Sequence, residues 1–180
     1  MAAQLVEANE RPLVVFSLDG QRHALPLVRV QRAIRVVAIT PLPEAPAIVL
    51  GIIDLGGLVI PVIDIRKRFN YPPRDLRLSD HLMVATAGKR TVALLVDDTK
   101  GVIEAPPESY APAGEILPRL ELVDGAVKLE DGLILIHDLE QLLSLEEHKA
   151  IDRVLSTTAG SDVPVAAAAT ATLKPEGHKE

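Results

Sequence analysis

The chain has 180 residues, 48% of them apolar, which is enough for one domain or two small subdomains with real cores. Its net charge of −6 and pI near 5.4 argue against a protein whose main task is to grip phosphate backbones, so no nucleic-acid partner is expected. The lack of cysteine excludes disulfides and thiolate metal sites, and no apolar run approaches the roughly 18 residues of a membrane span, so neither membrane insertion nor a leader is expected.

Residues 1–12 are polar and acidic and read as a flexible N-terminus. Leu13 to Leu18 reads as a strand, Asp19-Gly20 as a turn, and Arg22 to Leu27 as the return strand, with Pro26 marking a sheet edge. Val28 to Val37 is ambiguous: Val30, Ala33, Ile34 and Val37 recur at helical spacing, but the residues favour strand. Three prolines between Pro41 and Pro46 exclude helix. Gly51 to Leu55 and Leu58 to Ile63 meet at Gly56-Gly57 and read as a hairpin, since paired glycines accept the positive φ of tight turns. Pro61 has no N–H for a ladder, which predicts a sheet edge or barrel seam for its strand. Asp64 caps a short turn, Ile65 to Phe69, whose cations are expected to line a surface while Phe69 returns to the core.

Tyr71 to Ser79 reads as a polar loop. His81 to Thr86 and Thr91 to Val96 form a second hairpin, and Gly101 to Glu104 begins another strand. Ala105 to Pro118, with four prolines, reads as an exposed loop. Val127 to Leu129 and Leu133 to Ile136 pair across Glu130-Asp131-Gly132. Ser144 and Glu147 fit a capping box for a final helix whose apolar face is Leu145, Ala150, Ile151 and Leu155. Residues 156–180 read as a disordered tail rich in alanine, threonine and proline.

The stretch GIIDLGGLVIPVIDIRKRF, Gly51 to Phe69, resembles the signature of the CheW family of bacterial chemotaxis coupling proteins. Gly51, Ile52, Ile53, Leu55, Gly57, Val59, Ile60, Pro61, Val62, Ile63, Asp64, Arg66, Arg68 and Phe69 match its usual form or differ by a methyl. The Pro-rich lead-in Ile39 to Pro46 and the later segments Leu94 to Asp97, Asp131 to Ile136 and Asp138 to Glu140 follow in the family's order. The resemblance covers about Leu13 to Leu155. It implies an all-β fold of two SH3-like five-stranded barrels, divided near residues 65–80 with a strand or helix crossing over, and closed by a short C-terminal helix.

Two family positions differ. Gly56 stands where the signature has an arginine, and Arg32 where the family commonly has a glutamate; the resemblance implies an ion pair at those positions, near a receptor-facing surface. It also implies a cytoplasmic, non-enzymatic adaptor without cofactor, recruited to membrane-associated receptor arrays. Its partners are the cytoplasmic tip of a methyl-accepting chemoreceptor and the regulatory domain of a CheA-type histidine kinase. A divergent scaffold of a pilus-motility or polar-array system is the alternative that the two departures suggest. Val28, Val30, Ile34, Leu55 and Val59, with Arg32 and Gly56, are the candidate partner-binding residues, because the family receives a receptor helix in an apolar groove. Core packing is the competing reading of each aliphatic position. Gly51, Gly57, Pro61 and Asp64 are structural signature positions.

Catalysis has no visible constellation. Asp54, Asp64 and Asp97-Asp98 could be imagined around a divalent ion, and a small metal-dependent hydrolase using Asp64 and Asp97 is the remote alternative; turn statistics favour caps. His137-Asp138 reads as a base with its acid or, more simply, as a strand residue followed by a helix N-cap. His23 and His81 have no ligand-spaced partner and read as satisfied or exposed imidazoles. Arg29, Arg32 and Arg35 read as a solvated face or as a site for an acidic protein partner.

Overall fold

The computed structural model describes residues 11–116 and 122–158. Its strands form two sheets. In chain order they are β1 (Arg11–Leu18), β2 (Gln21–Pro26), β3 (Val30–Arg35), β4 (Val49–Leu55), β5 (Leu58–Ile63), β6 (His81–Ala87), β7 (Arg90–Val96), β8 (Asp98–Ala105), β9 (Tyr110–Pro112), β10 (Val123–Leu129) and β11 (Gly132–His137). The helices are α1 (Ile65–Arg68), α2 (Ala113–Ile116), α3 (Leu139–Leu142) and α4 (Leu145–Thr158). A six-stranded sheet has the order β8-β1-β2-β11-β10-β9, and a five-stranded sheet the order β3-β6-β7-β5-β4.

The fold is all-β with two SH3-like subdomains, but the strand order of each sheet is open, since the end strands β8 and β9, or β3 and β4, are not paired with each other. The division also falls elsewhere than residues 65–80. β1 and β2 join the C-terminal strands β8 to β11, and the whole five-stranded subdomain is inserted between them. Local turns drive the hairpins, but β1 pairs with β8 along its length, from Arg11 opposite Ala105 to Ser17 opposite Asp98.

Pro26, expected at an edge, and Pro61, expected at an edge or a seam, both lie in internal strands. β2 joins β11, and β5 joins β7, through short parallel pairings: Leu135 with His23 and Ile136 with Ala24, Val62 with Ala93 and Ile63 with Leu94. Pro26 follows the first pairing and Pro61 precedes the second, so neither residue is asked for the ladder N–H it lacks. The seam expected at Pro61 is this parallel junction.

Alternation of side chains builds three apolar layers. Leu13 and Val15 of β1 face a cluster with Ala24, Val127, Ile134 and Ile136, while Val14, Phe16 and Leu18 face a central core. From the other side, Val92, Leu94 and Val96 of β7 enter that same central core, and Ala93 and Leu95 enter a third cluster with Ile53, Ile60, Leu82 and Val84. Leu139, Leu142, Leu143 and Ile151 close the central core, with Leu155 packed against it.

Local expectations hold at several points. Asp64 Oδ1 accepts the Arg66 N–H at 3.1 Å and caps α1. Ser144 Oγ accepts the Glu147 N–H, and Glu147 Oε2 accepts that of Ser144, which completes the capping box. Val28 to Val37 resolves into a single 3-10 turn, Leu27–Arg29, and the strand β3. The Pro-rich segment from Ala105 is not a plain loop: β9 pairs Pro112 with Gly125 and Tyr110 with Val127, and α2 follows. Arg11 and Pro12 already belong to β1, and α4 runs on to Thr158, past the boundary expected at 155. The flexible N-terminus and the tail otherwise lie outside the described residues.

Gly51 is required by close approach. It sits at a bulge with φ +152°, and a Cβ there would lie 2.2 Å from the Thr40 carbonyl oxygen, which bonds the neighbouring Ile52 N–H at 2.8 Å.

Candidate partner-binding surface

β3 is an end strand, paired on one side only, and it carries three of the candidate positions, Val30, Arg32 and Ile34. Val28, in the turn before it, is 88% exposed, and Leu27 beside it is also exposed. Within β3 the register slips between Val30 and Arg32, leaving Gln31 as an extra residue whose amide reaches the Thr86 and Thr91 hydroxyls at 3.1 and 3.3 Å. One extra residue reverses the face of everything that follows. Val30 therefore packs on the central core, whereas Ile34, four residues on, packs on the outer cluster of the five-stranded sheet. The strand does not present these two as one surface. Arg32 is exposed between them.

The β4–β5 hairpin supplies the other positions. Gly56 and Gly57 turn with φ +67° and +87°, and Asp54 Oδ1 accepts the Gly57 N–H at 2.7 Å, fixing the tip. Leu55 packs on the same outer cluster as Ile34, so those two are brought to one apolar body. Leu58 and Val59 stand exposed, at 53% and 47%. Arg32 lies in β3 and Gly56 in the turn that follows β4, the two strands at opposite ends of the sheet order. Of the basic series, Arg29 pairs with Glu140 at 2.8 Å, while Arg32 and Arg35 face solvent.

The carboxylates considered for a metal have other duties. Asp54 and Asp64 cap turns, and Asp98 binds Lys100 Nζ at 2.6 Å. Asp97 joins the two subdomains: its oxygens accept the Asp19 N–H at 2.7 Å, Arg66 Nη1 at 3.1 and 3.3 Å, and Arg74. Burial pushes its pKa up, but hydrogen bonds from Arg74 and the Asp19 amide, with the charges of Arg74 and Arg66, hold the carboxyl below the ordinary range. Among the described residues no group of three or more histidine or acidic side chains is placed to hold a metal ion.

Arg66 corrects the expectation that the cations after Asp64 line a surface. It is 4% exposed and spreads its donors over Asp97, Asp19 (3.1 Å) and the Pro72 carbonyl. Arg68 is half-buried against Glu147 of α4, and only Lys67 of the three is exposed. Nothing local signalled this, because Asp19 and Asp97 are distant in sequence. Asp138 caps α3 by accepting the Glu140 N–H at 2.9 Å. His137 turns away from it and meets His23, Nε2 to Nδ1, at 2.8 Å. His81 Nδ1 lies 3.8 Å from Asp98.

A family model described as the CheW-like domain matches residues 12–147. The probable chemotaxis protein CheW of Rhizobium etli is 28% identical over 151 residues, 83% of this chain and 97% of that one. The chemotaxis protein CheW of Bacillus subtilis is 28% identical over 141 residues, 77% and 90% of the two chains. Among solved structures, the scaffolding protein TtCheW from Thermoanaerobacter tengcongensis superposes with a TM-score of 0.70 at 30% identity, covering 77% of this chain and 95% of its own.

Proposed function

The chain belongs to the CheW-like domain family, and from that membership we propose that it is a non-enzymatic scaffold of chemotaxis signalling, coupling a methyl-accepting chemoreceptor tip to the regulatory domain of a CheA-type histidine kinase. The observation that carries the reading is the family match running through strands of both subdomains. Among the described residues no helix is long and apolar enough to cross a membrane, which is compatible with a cytoplasmic scaffold recruited to receptor arrays.

The proposed contact surface combines the exposed Val28 and Arg32 of the β3 edge with Leu55, Gly56 and Val59 of the hairpin and Ile34 on the shared outer cluster. Val30 supports that edge from the central core. Apolar side chains beside the outer edge of an end strand suit an amphipathic helix laid along them. The departures at Arg32 and Gly56 favour, as a second reading, a scaffold of the same architecture serving a pilus-motility or polar-array system. Pull-downs with the regulatory domain of every CheA-type kinase of the host, and with its receptor tips, test the coupling role. Binding to at least one kinase at micromolar concentration is expected, and uniformly negative results remove it.

A further inference from the structure

Four polar or charged residues of the described chain are buried: His23, Arg66, Asp80 and His137. Arg66 and Asp80 are matched by opposite charges. The two imidazoles are matched by each other, and chemistry fixes the direction of their hydrogen bonds. The Leu122 carbonyl can only accept, so His137 Nδ1, 2.8 Å away, carries a proton. In the neutral ring Nε2 is then a lone pair, and His23 Nδ1 at 2.8 Å must donate to it. His23 Nε2 is left as an acceptor for the Tyr71 hydroxyl at 3.1 Å. Both rings are thereby fixed in the Nδ1–H form, the less common tautomer of free histidine.

This relay crosses between the subdomains. His23 and His137 come from β2 and β11 of the six-stranded sheet, and Tyr71 follows α1 of the five-stranded one. Phe16 stacks on one side of His23 at 5.6 Å and Phe69 on another at 5.3 Å, with Phe69 also 4.5 Å from His137. Three of the chain's four aromatic side chains thus enclose the pair.

We propose that the Tyr71–His23–His137 relay is a proton-sensitive latch, closed while both imidazoles are neutral and releasing the Phe69–Tyr71 segment from the six-stranded sheet when the pair takes up charge. A first proton forces the tyrosine hydroxyl to turn from donor to acceptor. A second sets two N–H groups against each other across the 2.8 Å contact. The titratable group that faces the pair directly is Tyr71. Beyond it stands Arg66, 5.6 Å from the Tyr71 ring, its charge matched by Asp19 and Asp97. The Leu122 carbonyl favours a charged His137, but burial outweighs it. Burial accordingly pushes both imidazoles down to about 4, with His137 adding to the effect on His23.

Nitrogen-detected NMR of the full chain, labelled at histidine and on the backbone, tests the latch between pH 7.5 and 3.5. The expected result is two Nδ1–H imidazoles that stay neutral to about pH 5 and titrate near 4. The Phe69, Tyr71 and Leu122 amide resonances should move with the same midpoint while those of β6 and β10 keep folded dispersion. An Nε2–H tautomer for either ring, titration near the free-histidine value, an unmoved Phe69–Tyr71 segment, or loss of all folded signals in a single step would each overturn it.

Discussion

Replacing Arg66 by methionine should cost about 2–3 kcal/mol of stability, although the residue lies in a four-residue helix beside the surface. Methionine keeps most of the stem and its packing, so the loss comes from the guanidinium. The arm to Asp97 is a charge-assisted hydrogen bond in a largely buried setting, a class worth roughly 1.5–3 kcal/mol. Asp97 is not stranded, because Arg74 and the Asp19 amide remain on it. That keeps the cost below the roughly 3–5 kcal/mol of a fully orphaned buried pair. The arm to Asp19 contributes little, about 0.5 kcal/mol, since half of the Asp19 side chain is in water. Water can reach the carbonyl of the exposed Pro72 in its place. Urea unfolding at pH 7, with a slope of roughly 1–3 kcal/mol/M, should show a midpoint about 0.7–3 M lower. The deficit should survive 0.5 M salt, where exposed pairs fade. Asp97 ionises below the ordinary carboxylate range, so its contribution is complete above that range and is lost as pH falls through the lowered native value. Arg66→Met should therefore also flatten the acid limb of the stability curve. A loss under 1 kcal/mol, or an acid limb unchanged from wild type, refutes the argument that the Arg66–Asp97 pair carries this stability.

Gly51→Ala should destabilise by more than 2 kcal/mol in thermal or urea unfolding, because the added methyl meets the Thr40 carbonyl and breaks the bridge to Ile52. Val28→Glu, at an 88% exposed site, should leave the circular-dichroism melt within about 0.5 kcal/mol of wild type yet weaken receptor binding. Val30→Glu, which enters the central core, should lower the melt by more than 2 kcal/mol whatever it does to binding. Melting temperature in millimolar Mg²⁺ or Ca²⁺ should equal that in chelator, whereas an ion at a hundred times its dissociation constant would add roughly 2.7 kcal/mol.

The hairpins were legible because their causes are local. Gly56-Gly57, Asp19-Gly20 and the Gly88-Lys89 turn each set a register within a few residues. The caps at Asp64, Asp138 and Ser144 are likewise written within one helical turn. What escaped is long-range. The burial of Arg66 depends on Asp19 and Asp97, and the His23–His137 contact spans 114 residues. Pro26 gave the right chemistry and the wrong place, and Pro61 the seam but not which strands meet there, since a proline excludes a ladder bond at its own position without saying how far a neighbouring parallel pairing extends. The bulge at Gln31 left no mark that a residue pattern shows, yet it decides that Val30 and Ile34 face different clusters. β9 was hidden by proline density. Gly125 opposite it was the available clue, because a Cβ there would strike the Tyr110 ring at 2.6 Å.

The insertion of one sheet inside the other also orders events during synthesis. Strands β3 to β7 close among themselves over residues 30 to 96 and can assemble as soon as that stretch has left the ribosome. The β1–β2 hairpin, made first, must wait for β8 and β11, its neighbours on either side. Until then Leu13 and Val15 have no core to enter, and a bare strand edge of this kind is where a nascent chain recruits a holdase or pairs with another copy. The late closure of a long loop should make this sheet the slower of the two to refold. A circular permutant that links residue 180 to residue 1 and opens at the Leu27–Arg29 turn would bring β8 to β11 and β1–β2 together in one uninterrupted run, removing that delay while keeping every strand neighbour.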